Sequence, residues 1–209
     1  MAISDRVAMA SIMVTERIHT TVGVDKAYST RYTVRMNELA TYLMTAMISW
    51  SPLSNHAYHE AKSITEARYA QIASEVADAS FEEEPLFAGP DGRAKTAEYM
   101  LSIASYESGG FREDVQFCTL AGDGNKAFGL FQSHGNKDAI CYSLRAAYHV
   151  ALEQARESLR ACRALPLYEQ LSGYTAGDCV HGRHASKIRS GRAFRYWAEH
   201  PFVATLPTP

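Results

Sequence analysis

The chain lacks a strong net charge. Its 21 Lys and Arg against 23 Asp and Glu leave a formal charge of -2, so no global basic field draws it to nucleic acid, and no nucleic-acid partner is expected. A secretory signal is also missing. Residues 1–20 carry Asp5, Arg6, Glu16 and Arg17, where a signal peptide needs a basic start followed by an apolar core. Long apolar runs are absent. The nearest stretch, Leu39 to His59, has no Lys, Arg, Asp or Glu. It does hold Thr41, Ser49, Ser51, Pro52, Ser54, Asn55 and two histidines. That is too polar for lipid, so a buried helix followed by a turn is expected and no membrane span. No Cys-x-x-Cys pair occurs. A zinc site using Cys179 and His181 therefore lacks the usual spacing, and neither a metal nor another cofactor is expected. Internal repeats and low-complexity tracts are missing, and alternating apolar runs are few, so the fold class is mainly α.

What is present supports a core. Of 209 residues, 46% are hydrophobic and 21% charged, an ordinary globular balance for one domain, or one domain with a helical extension. Residues 1–90 hold 11 acidic and 7 basic side chains, and the remainder 12 and 14. The sharpest local imbalance is Arg183, Lys187, Arg189, Arg192 and Arg195, with no acid between them. Such a cluster is either a solvated helix face or a surface for an anionic envelope polymer. Cys118, Cys141, Cys162 and Cys179 all fall in the second half. Four cysteines permit two disulfides in three pairings if the protein works outside a reducing compartment, and buried thiols if it does not.

Apolar spacing predicts a short helix over 3–19, a second from about Val34 to Trp50 ended by Pro52, and a third from about Ser54 to Ala79. On the third, Ala57, Ala61, Ile64, Arg68, Ile72 and Val76 share a face. Glu82-Glu83-Glu84-Pro85 and Gly89-Pro90-Asp91-Gly92 read as an exposed connection. We take it as the boundary between a helical N-terminal extension (1–90) and a second domain (91–209). The Met and aromatic stripes of the extension fit core packing, or an interface for self-assembly or virion partners. Beyond the boundary a helix starts near Ala94, and residues 109–142 read as a long loop with short turns, a length usually tied to function. Ser143 caps a strong helix carrying Leu144, Ala147, Ala151, Leu152, Ala155, Leu159 and Cys162. Pro166 opens a short helix leading to Tyr174, and His184 to Ala198 forms the last. Pro201, Pro207 and Pro209 mark an irregular tail.

The centre of the chain is Tyr99 to Phe111. Met100, Ile103, Ala104 and Glu107 stand at i, i+3, i+4 and i+7 on one helix face. Gly109 and Gly110 then stop the helix in a left-handed turn. A carboxyl group held there is partly desolvated, which raises its pKa towards neutrality, as a general acid requires. Spacing alone also allows a Glu that pairs with an Arg or caps a backbone group.

Three blocks follow in order: Glu107-Ser108-Gly109-Gly110-Phe111, Ala127-Phe128-Gly129-Leu130-Phe131-Gln132, and Gly173-Tyr174-Thr175-Ala176-Gly177. Together they resemble the lytic transglycosylase branch of the lysozyme-like superfamily, which includes goose-type lysozymes, over roughly residues 95–198. The resemblance implies a lysozyme-like helical catalytic domain acting on peptidoglycan glycan strands. It implies that Glu107 protonates the bond between N-acetylmuramic acid and N-acetylglucosamine. The same group would then activate the C6 hydroxyl, which closes on the anomeric carbon to leave a 1,6-anhydro product. By the same resemblance Ser108 would hydrogen-bond near the scissile sugar and Gly129 would let backbone approach the glycan. Phe131 and Gln132 would line the cleft, and Tyr174 would help position Glu107. Phe131 and Tyr174 are otherwise ordinary core residues.

The chain departs from the family pattern at three places. Phe131 stands where Met is usual, Thr175 replaces Asn, and Arg112-Glu113-Asp114 replaces a common Asn-Pro. A second carboxylate, which most glycosidases need, is not evident. Asp114, Asp123 and Asp178 are nearest in motif context, and Asp114 or Asp123 would serve a hydrolytic, lysozyme-like outcome by orienting water. The alternative from another class is an assembly protein that kept the fold without catalysis. With no signal peptide, a cell-wall enzyme must reach the periplasm by another route. A bacteriophage protein, carried in the virion or released at lysis as an endolysin, fits that expectation.

Overall fold

The computed structural model describes residues 26–53 and 60–204, with side chains from residue 34 onward. The chain divides into two units, 1–33 and 34–209. The second is compact and carries everything discussed below. The helix expected over 3–19 lies outside the described residues.

Among the described residues the elements are eight α-helices and one short ribbon, so the class is mainly α. Helix α1 runs Lys26–Trp50. It begins earlier than the apolar stripe predicts, because Ser and Thr cost a helix only tenths of a kcal/mol each. Its buried side chains are Leu39, Leu43, Ala46 and Met47, spaced to face inward together. Helix α2, Lys62–Glu82, starts later than expected, and residues 54–59 lie outside the described set. Its buried face is Thr65, Tyr69, Ile72, Ala73, Val76 and Ala77. Ile64, expected inside, is 56% exposed, because the face is rotated by one residue to bring Tyr69 in.

Helix α3, Gly92–Glu107, is the axis of the molecule. Ala94 and every residue from Thr96 to Ser105 are buried, so it carries no solvent face, the signature of a central helix. The connection over residues 83–91, expected to separate two domains, lies inside the compact unit. Leu43, Ile72 and Met100 share one continuous core with Leu152 and Ala193 from beyond it. Each such side chain contributes roughly 1.5–3 kcal/mol by leaving water.

The segment expected as a long loop holds more structure than its sequence suggests. Helix α4 spans Glu113–Gln116, strand β1 Ala127–Phe128, strand β2 Ser133–His134 and helix α5 Lys137–Tyr142. The strands pair antiparallel, Ala127 opposite His134 and Phe128 opposite Ser133. Two-residue strands give no readable alternation, which is why the sequence hides them. Helix α6, Leu144–Ala161, is capped as expected, the Ser143 hydroxyl accepting from the Ala146 N–H. A 3-10 turn at Leu167–Glu169 and helix α7, Ser172–Ala176, lead to helix α8, Arg183–Glu199.

Helix α3 packs against α8, α2 and α6. Aromatic rings seal the α3–α8 face, with Phe87, Tyr99, Phe194 and Trp197 in mutual contact. Trp50 and Tyr42 of α1 meet Tyr196 of α8. Of the three possible cysteine pairings, the structure takes Cys118–Cys141 and Cys162–Cys179. The first ties the loop after α4 to α5, and the second ties the end of α6 to the loop after α7. Among the described residues no helix is long and apolar enough to cross a membrane.

Candidate functional site

Glu107 is the last residue of α3. Its side chain keeps 19% of its surface exposed, and its Oε1 lies 2.7 Å from Nη2 of Arg189 on α8. Burial raises the proton affinity of this carboxyl above the ordinary value, and the Arg189 charge and hydrogen bond oppose that rise. Burial is the larger influence. The expected desolvated carboxyl is therefore present, with an arginine partner that spacing in the sequence cannot reveal.

The turn that stops α3 is pinned from the N-terminal half of the chain. Gly110 has φ 94°, and a Cβ there would lie 2.7 Å from the Ser51 Oγ, so only glycine fits. The Gly110 carbonyl accepts from the Tyr69 hydroxyl at 3.1 Å. The next carbonyl, Phe111, accepts from the Arg68 guanidinium, which also pairs with Glu60. Ser51, Glu60, Arg68 and Tyr69 are thus part of what holds the turn after Glu107 in place, and no motif marked them.

The remaining expected site residues sit around this turn in different roles. The Ser108 hydroxyl donates to the Ala104 carbonyl at 2.6 Å and accepts from the Phe111 N–H at 2.7 Å. Both interactions close the end of α3, and the side chain is buried. It braces the turn and is not presented to a sugar. Gly129 has φ 68°, and a Cβ there would lie 2.8 Å from Ile140 Cγ2. Its missing side chain admits Ile140, where the expectation was that it lets the protein backbone approach a glycan. Phe131 is fully buried and meets the Tyr148 ring edge-on at 6.0 Å. Its ring is core and does not stack in a cleft. The Gln132 amide folds back to donate to the Gly129 carbonyl at 3.0 Å. Ser108 closes a helix end, Gly129 and Phe131 pack on α5 and α6, and Gln132 closes the loop on itself.

Tyr174 comes nearest to its expected position. Its hydroxyl donates to the Phe131 carbonyl at 2.6 Å and lies 3.5 Å from the Ser133 Oγ. Burial and the Glu107 charge both push its pKa up, burial most. It remains a neutral hydroxyl that joins α7 to the ribbon beside Glu107. Thr175, standing where the family pattern has Asn, uses its hydroxyl to donate to a backbone carbonyl, Ser172 or Gly182, each at 3.1 Å. Tyr174 also lines a cavity of about 580 Å³ between α6, α7 and the ribbon, with Asp123, His134, Gln154 and Glu157 around its mouth.

The three other carboxylates are engaged elsewhere. Asp114 is held by Arg112, whose hydrogen bond keeps its pKa low. Asp123 lies 3.4 Å from His134 Nε2. Asp178 accepts from His181 and from the N–H groups of Val180 and His181, which holds its pKa down at about 2. The basic cluster is also largely spoken for. Arg183 and Lys187 pair with Glu169, Arg189 with Glu107, and Arg192 donates to the Ser105 hydroxyl at 2.7 Å. Arg183, Lys187 and Arg195 are exposed, while Arg189 and Arg192 are drawn inward towards α3.

One buried carboxyl group escaped the sequence reading. Glu98, in the middle of α3, is fully buried and accepts from the Tyr42 hydroxyl at 2.5 Å. Its position among apolar helix neighbours gives no cue, because the partner is 56 residues away. Among the described residues no group of three His, Cys, Asp or Glu is arranged to hold a metal, and Cys179 is disulfide-bonded. Compared with known proteins, the chain matches no family model, no curated protein and no solved structure.

Proposed function

We propose that this chain cleaves peptidoglycan glycan strands as a lytic transglycosylase, with Glu107 as its single acid and base. The observation that carries the reading is a mostly buried carboxyl at the end of the central helix, still one-fifth exposed and with its proton affinity raised. The raised proton affinity favours the protonated form, from which a proton can pass to a bridging oxygen. Protonation lets the C1–O4 bond break. The resulting Glu107 carboxylate takes the C6 hydroxyl proton as that oxygen bonds C1. The product is a 1,6-anhydro sugar, and Glu107 regains its proton without water being consumed. Asp114 is held by Arg112 and Asp178 by His181, which favours this one-carboxylate route; Asp123, exposed and lining the cavity beside Tyr174, is the carboxylate a hydrolytic outcome would use. Two disulfides support action in an oxidising compartment such as the bacterial periplasm. A phage-encoded enzyme, in the virion or released at lysis, fits that setting.

The Glu107–Arg189 pair supports a second reading. In it the carboxylate ties α3 to α8, and the chain is an assembly protein whose residues 1–90 meet virion partners. One experiment separates them. Purified peptidoglycan is digested with the wild type and with Glu107→Gln, and soluble muropeptides are read by mass spectrometry. Anhydro-muropeptides from the wild type, falling at least about 100-fold in the variant, support the transglycosylase. Reducing ends mean a hydrolase. No release from the folded wild type favours the assembly protein.

A further inference from the structure

We propose that Arg189 is the positioning residue of Glu107: it fixes the orientation of the carboxylate and governs the pH at which that group carries its proton. The catalytic consequence rests on the transglycosylase reading above; the linkage between the two side chains does not.

The geometry is specific. Arg189 meets one carboxylate oxygen, Oε1, through Nη2 at 2.7 Å. Among the described residues the other oxygen, Oε2, has no hydrogen-bond partner, which leaves it for a proton. The arginine itself is anchored at both ends. Its carbonyl accepts from the Ser102 hydroxyl at 2.8 Å, five residues before Glu107 on the same helix. Its guanidinium lies over the Tyr106 ring at 5.6 Å. Arg192, one turn further along α8, packs on that same ring at 4.0 Å and donates to Ser105. Two arginines thus clamp the last turn of α3 to α8. Arg189 is mostly buried, with 16% of its side chain exposed, and its Nε has no partner. A buried donor left unsatisfied is costly, so the side chain is spent on meeting Glu107.

Among the described residues, the groups around Glu107 come from α8, α7 and α3. From α8 the charge is Arg189, with Arg192 behind Tyr106. From α7 it is the neutral Tyr174 hydroxyl, which donates to Phe131. On α3 it is Tyr106. Among the described residues, only Arg189 bonds the carboxylate. An adjacent guanidinium favours the charged carboxylate, opposing burial. Glu107 therefore sits between two influences, and the α3–α8 contact sets the balance. For a group that must donate a proton and then accept one, that balance decides the working pH range.

The test is a carbon-13 NMR titration of the Glu107 carboxyl, in the wild type, Arg189→Met and Arg189→Lys. Loss of the cation in Arg189→Met is expected to raise the midpoint by about 1–3 pH units. Arg189→Lys keeps the charge and is expected to fall between. In the wild type the nitrogen-15 signals of the Arg189 guanidinium are expected to move with the same midpoint as the carboxyl carbon. This measurement needs no variant, and so decides the matter even if Arg189→Met fails to fold. An unchanged or lowered midpoint, or guanidinium signals that ignore the carboxyl titration, overturns the proposal. Muropeptide release against pH adds the catalytic arm. The alkaline limb is expected to move up with the NMR midpoint, where a merely structural role would lower release equally at every pH. If the wild type releases nothing while the titrations shift as expected, the enzymatic reading fails and the linkage stands.

Discussion

Glu98→Gln is expected to make the protein more stable at alkaline pH than the wild type. Glu98 is fully buried, its Oε2 accepts from Tyr42, and its Oε1 has no hydrogen-bond partner. Trp197 presents a buried Nε1 that is equally unpartnered. Burial pushes the carboxyl's pKa up to about 8 from 4.5, outweighing Tyr42 and then Trp197, both of which favour the charged form. The sign follows from linkage. Below pH 4.5 the group is protonated folded or unfolded and costs nothing. As pH rises, the unfolded chain ionises first, so the folded state loses stability until pH passes about 8. At about 1.4 kcal/mol per pH unit the whole effect is on the order of 5 kcal/mol, about 3–4 of it between pH 5 and pH 8. That is a large part of the 5–15 kcal/mol typical of a domain. Glutamine has the shape of the protonated acid, can still accept from Tyr42, and does not titrate. Urea unfolding followed by circular dichroism at pH 5, 6, 7 and 8 measures both curves. The expected result is a wild-type midpoint that falls with pH relative to the variant. Parallel curves would refute the reasoning, because other titrating groups are common to both proteins.

Three further outcomes can be checked by the same unfolding assay. Gly110→Ala meets both a φ of 94° and the Ser51 Oγ at 2.7 Å, so it should cost about 1–3 kcal/mol. Adding Ser51→Ala should recover the clash but not the backbone strain. Replacing Cys162 and Cys179 by Ala opens a 17-residue separation and should lower stability by about 2–4 kcal/mol, measured under non-reducing conditions. Leu43→Ala, at a fully buried position in the shared core, should cost about 2–5 kcal/mol in a single cooperative transition. Two separate transitions would mean that residues 34–90 form their own core after all.

The sequence by itself determined the class, the long helices and the residue at their centre. Apolar spacing works where a helix has one buried stripe, so α6, capped by Ser143, and the end of α3 at Glu107 were legible. Gly109 and Gly110 announced the turn because left-handed backbone restricts residue type. Periodicity failed where burial is all round, as along α3, and where an element is two residues long, as in the ribbon. The rotated face of α2 came from the same weakness. Small and polar residues such as Thr65 and Ala73 face inward beside Tyr69, and the stripe does not distinguish them.

Tertiary structure decided everything that depends on pairs distant in sequence. Arg189 lies 82 residues from Glu107, Tyr42 lies 56 from Glu98, and Arg68 lies 43 from Phe111. Residue type gives charge and hydrogen-bonding capacity, but only packing chooses the partner. It also decided which motif residues face outward. Ser108, Gly129 and Phe131 carry the family-like pattern, yet their side-chain positions are taken by a helix end, by Ile140 and by Tyr148. A short motif names the atoms available, and the surrounding core determines which of them stay partly exposed; the Glu107 carboxyl does, because it stands at a helix end that packing leaves one-fifth open.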